Sequence, residues 1–279
     1  VYELRKPDER LAPFVEHYWF VSSTPERPLS VSVDAYVDAR ADLVFTLGRG
    51  YTRTVLGEPP QWWDTSNVDA QRLHPLRIDQ SGVLRLAGVR FRVGGLGAFT
   101  SADLSGWTGR VVPVEEAFGA AGTAAHDALG RAGSPDDQAG NLDSLLLGAR
   151  RSSVGLSTFR AVLPLALCPD PRPSVADLAA AAGCSPRHLE RLFSRHLGLT
   201  PRTLLLVVMF QAALQMLMRD PGCPLSDVAA RTGFHDQSHL VRTFRRFSGG
   251  APRDFRGYFP SDGPEDFAPN VVGYVQADA

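Results

Sequence analysis

Hydrophobic and polar positions follow two different periods along this chain, one in each half. Up to about residue 112 the apolar residues alternate or gather in short runs. The clearest are 17–22, 30–36, 41–47 and 83–93, rich in Val, Phe, Tyr and Leu and separated by Pro, Gly, Asp and Asn. They predict short strands of a small β-barrel-like domain. In the last run Val89, Phe91 and Val93 share one face while Gly88, Arg90 and Arg92 share the other, which predicts a half-buried strand with two solvated guanidiniums.

From about Pro113 the period lengthens to that of a helix. Helices are predicted over 114–131 and from 141 onward, where Leu142, Leu145, Leu146 and Ala149 recur at helical spacing, with a polar loop over 133–140 between them. A further helix is expected over 157–167. Pro169, Pro171 and Pro173 then remove donors and block the helical region for their predecessors, which marks a domain boundary. The stretch 174–258 is helical again, with turns at Gly183, Gly198, Pro221, Pro224, Gly233, Gly249 and Gly250. The expected class is α+β. Residues 1–168 form an N-terminal sensing or assembly domain, 169–173 a Pro-rich linker, 174–259 an all-α domain and 260–279 an acidic tail. Within the tail, 270–276 reads as a strand for the edge of the first domain or of a second chain.

A chain of 279 residues is long enough for two ordinary domains, and 44% apolar with 21% charged residues is a globular composition. No apolar run approaches the length that a bilayer requires, and the first residues, VYELRKPDER, lack the apolar core of a secretory signal. A cytoplasmic protein without membrane contact is the expectation. Cys168, Cys184 and Cys223 contain no C-x-x-C pair, which fits reduced thiols better than disulfides or structural zinc. The net charge of −1 conceals an asymmetry: residues 172–259 carry 12 Arg against 6 acids, while both flanking regions are acidic. A single basic region is what a domain facing a polyanion shows.

That basic region contains a repeat. Val175-Ala-Asp-Leu-Ala-Ala-Ala-Ala-Gly183 and Leu225-Ser-Asp-Val-Ala-Ala-Arg-Thr-Gly233 share a frame, and each glycine suits the left-handed backbone of a sharp turn between helices. After the turn, Ser185 or Asp236 can cap a second helix. Leu189, Leu192 and Phe193 in one copy, and Leu240, Phe244 and Phe247 in the other, fall on its inner face. This is a helix-turn-helix written twice. Packing those residues inward turns Arg187, His188, Glu190, Arg191 and Arg195 outward in the first copy. In the second it turns out Gln237, Ser238, His239, Arg242, Arg245 and Arg246. Such faces suit the major groove, where arginine reads guanine and Gln, Ser or His offer further donors and acceptors.

The stretch 174–258 resembles the double helix-turn-helix domain of the AraC/XylS transcription regulators, a bacterial family. The resemblance is most specific over Gly233-Phe-His-Asp-Gln-Ser-His-Leu240, Arg242-Thr-Phe-Arg-Arg-Phe247, Gly249-Gly-Ala-Pro252 and Phe255-Arg256. In the first copy it rests on Ser185-Pro-Arg-His-Leu-Glu-Arg-Leu-Phe193, Gly198 and Thr200-Pro201. Met209 stands where many members carry Arg, and Phe255 where many carry Tyr. The resemblance implies a sequence-specific regulator of transcription whose helix 202–218 links two reading units on double-stranded DNA. It implies base readers at Arg187, Glu190, Arg191, Gln237, Ser238, His239 and Arg242. Phosphate contacts are implied at Thr200, Arg202, Thr243, Arg245, Arg246 and Arg253. RNA polymerase is the implied partner if the protein activates. The segments Phe14-Val-Glu-His-Tyr-Trp19, Val37–Gly48 and Gly88–Gly95 resemble a barrel-like domain found ahead of such DNA-binding domains, without an assigned ligand.

Other chemistries are weighed against this reading. Gly94-Gly95-Leu-Gly97 lacks the Gly-Lys-Ser/Thr of a phosphate loop and reads as a turn. His235 and His239 have the spacing of a zinc pair but no third ligand nearby, so no metal or cofactor is expected. No nucleophile elbow is present, and Glu115-Glu116 and Asp136-Asp137 sit where negative charge is structurally ordinary, so an enzyme is not expected. Trp19, Trp62, Trp63, Tyr36, Phe45 and Phe91 are candidate core. For a small-molecule effector in the first domain the candidates are His17, Trp19, Phe45, Arg90 and Arg92. The competing function is a ligand-sensing or protein-interaction module with weak residual DNA binding, favoured by the apolar linker helix. Two reading units in one chain make a homodimer unnecessary without excluding it.

Overall fold

The computed structural model describes residues 2–168 and 172–256, together with the backbone of a strand at Val271–Ala277. The first half contains β1 (Tyr2–Arg5), β2 (Val15–Ser22), β3 (Leu29–Ala35), β4 (Asp42–Thr46), β5 (Tyr51–Val55), β6 (Gln61–Trp63), β7 (Asn67–Asp69), β8 (Leu76–Gly82), β9 (Arg85–Phe91) and β10 (Val111–Pro113). The runs predicted as strands are β2, β3, β4 and β9. All pairings are antiparallel, in one sheet of order β1-β2-β9-β4-β7-β10 and a second that begins with β11 (Val271–Ala277) and runs β11-β3-β8-β5-β6. The sheets do not close into the barrel expected from sequence. Their edges end on β6 and β10, each of three residues, too short to continue the curl.

The tail strand β11 (Val271–Ala277) lies antiparallel on β3, with Val271 opposite Ala35, so it extends the second sheet of its own chain. The remainder of the tail, and Pro169, Asp170 and Pro171 of the linker, lie outside the described residues.

Tyr18, Leu43, Phe45, Val89 and Phe91 are fully buried in the core. Trp19 packs over Gly88, its partner across β2 and β9, where any Cβ would overlap the indole. A chain of buried ion pairs crosses between the sheets. Arg90 on β9 donates to both Asp38 and Asp42, Arg72 reaches Asp42 and Asp69 at 3.4 Å, and Arg53 on β5 reaches Asp69 at 3.0 Å. Arg90 is thus 3% exposed rather than solvated, which corrects the sequence expectation: alternation placed it off the Val89 face, and carboxylates fill that face. Burial works to raise the Asp38 carboxyl, but Arg90, Arg72 and Arg40 outweigh it and hold it below the usual range; burial prevails at Asp42, which is raised.

The helical residues after β10 divide differently from the sequence reading. A single helix over 114–131 is broken into α1 (Val114–Phe118) and α2 (Ala120–Arg131) at Gly119, whose φ of +59° no helix accommodates. The predicted loop 133–140 is largely helix. Ser134 caps α3 (Pro135–Ala149) by accepting from the Asp137 N–H at 3.1 Å, Pro135 takes the first turn, and the acids beside it favour a helix start. α4 (Leu156–Ala166) follows.

The second domain holds α5 (Val175–Ala181), α6 (Pro186–Leu197), α7 (Pro201–Arg219), α8 (Leu225–Thr232) and α9 (Gln237–Ser248), then a 3₁₀ turn, Pro252–Phe255. α7 is the described helix long and apolar enough to cross a membrane by length and composition. Its Leu204, Val207, Phe210, Leu214 and Leu217 are buried, with Phe210 edge-on to Phe244 and Phe247 of α9 at 5.0 and 5.6 Å.

The β-rich part holds both ends of this domain. Phe159 of α4 stacks edge-on to Phe193 of α6 at 5.1 Å, and the Thr108 hydroxyl donates to the Gly198 carbonyl at 2.6 Å. On the other side, the Val37 N–H donates to the Phe247 carbonyl at 3.1 Å, and Gln211 donates to the Val37 carbonyl at 2.6 Å.

Candidate nucleic-acid interface

The two helix pairs repeat the same local construction. In the first, Gly183 turns the chain with φ +61° and the Cys184 N–H closes on the Ala179 carbonyl at 3.0 Å. In the second, Gly233 has φ +81° and the Phe234 N–H closes on Ala229 at 2.9 Å. The following helix is capped in each case: Ser185 Oγ accepts from the His188 N–H at 3.3 Å, and Asp236 Oδ1 from the His239 N–H at 2.7 Å. The residue added in the second copy, His235, sits between turn and cap and leaves both intact. Leu189, Leu192, Phe193 and Leu240, Phe244, Phe247 are buried, as the spacing requires.

Asp236 shows how the cap is held electrostatically. The His239 N–H, and then His235, keep its carboxyl below the ordinary 3.8. A depressed folded pKa contributes stability that is complete above the unfolded value and lost as pH falls through the folded one. Melting curves should therefore place D236A below the parent near neutrality, D236N close to it, and the gap between parent and D236A should narrow as pH drops below the carboxylate range.

Packing one face inward leaves Arg187, Glu190 and Arg191 exposed on α6 and Gln237, Ser238 and Arg242 exposed on α9. His239 is half-buried, its ring edge-on to Phe234 at 5.1 Å, so that it sits at the border of the outer face. Thr200 caps α7 through the Thr203 N–H at 3.1 Å while remaining exposed, as are Arg202, Arg245, Arg246 and Arg253. Thr243 is a correction. It is 4% exposed and its hydroxyl is spent on the His239 carbonyl at 2.9 Å, because it falls on the same side of α9 as Phe244 and Phe247.

Several arginines of the β-rich part are tied to carboxylates. Arg5, Arg10, Arg40, Arg53, Arg77 and Arg90 in the β-rich part are each paired with a carboxylate. Among the described residues Arg187, Arg191, Arg202, Arg242, Arg245 and Arg246 have no carboxylate partner. Arg253 alone of the proposed DNA-facing arginines lies near one, 3.6 Å from Asp254. These outer faces stay exposed with the β-rich part docked, since that part grips the inner face of α6 and the C-terminal end of α9.

Two residues of the domain do structural work that the sequence did not announce. Arg172, the first described residue after the linker, donates to the Gly233 carbonyl at 2.7 Å and ties the start of the first unit to the turn of the second. Arg256 donates to the carbonyls of Pro221 and, at 2.8 Å, Cys223, closing the turn between α7 and α8. The sequence signals were a place in the basic balance for both and, for Arg256, its place in the Phe255-Arg256 part of the resemblance.

The effector candidates do not converge on a cavity. Phe45 is core, Arg90 is neutralised, Trp19 covers Gly88, and Arg92 donates to the Ala12 carbonyl at 2.8 Å on the surface. His17 is half-buried opposite Arg90, and burial lowers its pKa. Among the described residues no group of His, Cys, Asp and Glu could hold a metal ion.

Comparison with known proteins divides the chain in the same way. Residues 178–258 match a family model described as a helix-turn-helix domain, and residues 3–113 match a domain of unknown function. The chain is 38% identical over 79 residues to the uncharacterized HTH-type transcriptional regulator YidL of Escherichia coli (strain K12), covering 28% of this chain and 26% of that protein. It is 36% identical over 83 residues to the transcriptional activator NphR of Rhodococcus sp, covering 30% of this chain and 24% of that protein. Both matches thus span about a quarter of the relative. The crystal structure of ToxT from Vibrio cholerae aligns over 85% of this chain and 97% of its own at 7% identity and a TM-score of 0.43. The repeated turns and caps, the outward arginines and the family match coincide on one stretch of sequence: residues 178–258 are a double helix-turn-helix domain of the AraC type.

Proposed function

We propose that the protein is a sequence-specific DNA-binding regulator of transcription. The observation that carries the reading is the pair of equivalent helices whose outer arginines have no carboxylate partner among the described residues. In this reading Arg187, Glu190 and Arg191 of α6, and Gln237, Ser238, His239 and Arg242 of α9, contact base edges in successive major-groove segments. Arg202, Arg245, Arg246 and Arg253 neutralise phosphates, and Thr200 offers the N-terminus of α7 to another. The α7 helix, about 28 Å long at 1.5 Å per residue, is commensurate with the ~34 Å repeat of the duplex. The relatives' names, one of them an activator, support a role in transcription. RNA polymerase contact belongs to the activator form of the proposal. Residues 1–168 are the sensing or assembly domain and 174–259 the DNA-binding domain, and a homodimer is compatible with both.

Selection from a random duplex library with the purified chain tests this. The expected product is a bipartite sequence with boxes about 10–10.5 bp apart, whose affinity falls steeply with salt. Recovery of no common sequence would contradict the reading. The two kinds of contact also separate. R245A should weaken binding to all sequences alike and lower the salt slope by about 1. T243V should leave affinity and slope unchanged, because that hydroxyl already serves the helix.

A further inference from the structure

The two helix-turn-helix units are anchored at different places. The first, α5 and α6, rests on the β-rich part through Thr108 and Gly198 and through Phe159 and Phe193. The second, α8 and α9, is held at the far end of α9. There the Val37 N–H donates to the Phe247 carbonyl at 3.1 Å, and Leu56 lies beside Gly249, where a Cβ would come within 3.3 Å of it. The edge-on ring contacts of α9 with Phe210 of α7 also fall in its second half, at Phe244 and Phe247. The first turn of α9 bears Gln237 and Ser238 and lies about 15 Å from Phe247 at 1.5 Å per residue. A helix pinned at one end can tilt. A tilt of roughly 10° about Phe247 would displace Gln237 by about 2.6 Å, more than a hydrogen bond to a base edge tolerates.

Arg172 braces the other end. Among the described residues it makes the one hydrogen bond that passes directly between the two units: from the head of the first, its Nη1 donates to the Gly233 carbonyl at 2.7 Å, four residues before Gln237. The N–H of that same peptide belongs to Phe234 and donates to the Ala229 carbonyl at 2.9 Å, so the peptide that turns α8 into α9 is gripped from both sides. The acceptor lies at the C-terminal end of α8, where a helix favours a cation. The base of the brace is stiff. Pro173 is buried and confines the backbone of Arg172, and Ser174 opens α5 in a capping box with Asp177. The equivalent turn of the first unit is built without a brace: a Cβ at Gly233 would overlap the Arg172 guanidinium, whereas one at Gly183 meets nothing within 4 Å. The contact is therefore added to the repeat and not required by it.

We propose that Arg172 is a positioning residue that fixes the angle between the two reading helices, and with it the spacing between boxes that the protein accepts. It contacts no base and no phosphate in this role. It acts through the Gly233 peptide on Gln237, Ser238 and Arg242, and the proposal rests on the reading of DNA by α6 and α9 set out above. One base pair added or removed between the boxes turns the second box by about 34–36° and shifts it by about 3.4 Å. A braced pair of helices loses base contacts on such a duplex. An unbraced pair recovers part of them by tilting α9, so that the brace converts stiffness into discrimination between spacings.

Hydrogen exchange and duplex binding by the full chain, parent against R172A, test the proposal. Arg172 is exposed, so R172A should melt with the parent, which verifies its fold. Without DNA, the Phe234 amide should exchange severalfold faster in R172A while the amides of α6 are unchanged. On the selected duplex, one base pair inserted or removed between the boxes should weaken binding by the parent about tenfold or more, and by R172A about threefold less than that. A duplex with one box scrambled should bind both proteins alike, and their salt slopes should agree, because no phosphate contact is lost. Unchanged exchange at Phe234 would overturn the brace itself, whatever the DNA result. Faster exchange with an unchanged spacing penalty would overturn the positioning role. Equal weakening at every spacing, with a salt slope lower by about 1, would make Arg172 a phosphate contact instead. Failure of the parent to bind any duplex specifically would count against the DNA-binding function, with the exchange measurement still reporting on the brace.

Discussion

With Arg187, Arg191, Gln237 and Arg242 all replaced by alanine, the chain is expected to melt with the parent yet bind its selected duplex no more tightly than a random one, a loss of roughly a thousandfold or more. The four residues are exposed, and among the described residues the one side-chain hydrogen bond that holds any of them, from Arg191 to His188 Nδ1 at 2.9 Å, lies on the surface. Alanine suits a helix, and exposed substitutions of this kind usually change stability by less than about 0.5 kcal/mol. Each bidentate base contact contributes about 1–3 kcal/mol of discrimination, and their joint loss removes the difference between specific and non-specific complexes. Binding to random duplex should survive with most of its salt dependence, because Arg202, Arg245, Arg246 and Arg253 remain. Titration of selected and random duplex at two salt concentrations measures both effects. Retained specificity would place the reading surface elsewhere.

A large loss of stability is expected from R90Q, about 3–5 kcal/mol, read from denaturant unfolding monitored in the β-rich part. The reason is asymmetry between making and breaking a buried ion pair. Arg90 is 3% exposed and donates to two carboxylates, the buried Asp38 and the partly buried Asp42. Removing the guanidinium takes the nearest partner from both, leaving Arg40 at 3.8 Å from Asp38 and Arg72 at 3.4 Å from Asp42. Asp42 can take up a proton, since burial already raises its pKa, but Asp38 is held below its usual range largely by Arg90 and loses that support. Replacing the three together, as in D38N/D42N/R90M, should recover much of the loss, because no charge is then left unpaired. A small effect of R90Q alone would mean that water reaches the network.

Much of the second domain was legible in the sequence because its determinants are local. Gly183 and Gly233 have no low-strain alternative at their turns, Ser185, Thr200 and Asp236 are strong caps, and Leu189, Phe193, Leu240 and Phe244 repeat at helical spacing. The outward residues followed by subtraction; Thr243, named through the resemblance, faces inward, since a threonine between Arg242 and Phe244 can face either way. The first half was less legible for physical reasons. β5, β6, β7 and β10 are too short or too polar to show alternation, and Arg90 looked solvated because its partners, Asp38 and Asp42, come from a distant segment. Ser134-Pro135-Asp136-Asp137 has the composition of a loop and the order of a helix start. The docking of the two parts runs through the backbone of Val37 and through Gly97, where side-chain identity carries almost no signal.

In the proposed complex α6 and α9 read two sites together from the ends of one helix, α7. The most direct test is a spacing series on the selected duplex, with about 5 or about 10 bp inserted between the boxes and affinity measured for each. Insertion of half a turn should carry the second box to the opposite side of the duplex and reduce binding to the level of a single box, and a full turn should not restore it, because α7 cannot lengthen. Affinity indifferent to spacing, or a selected sequence with one box only, would contradict reading by two helices.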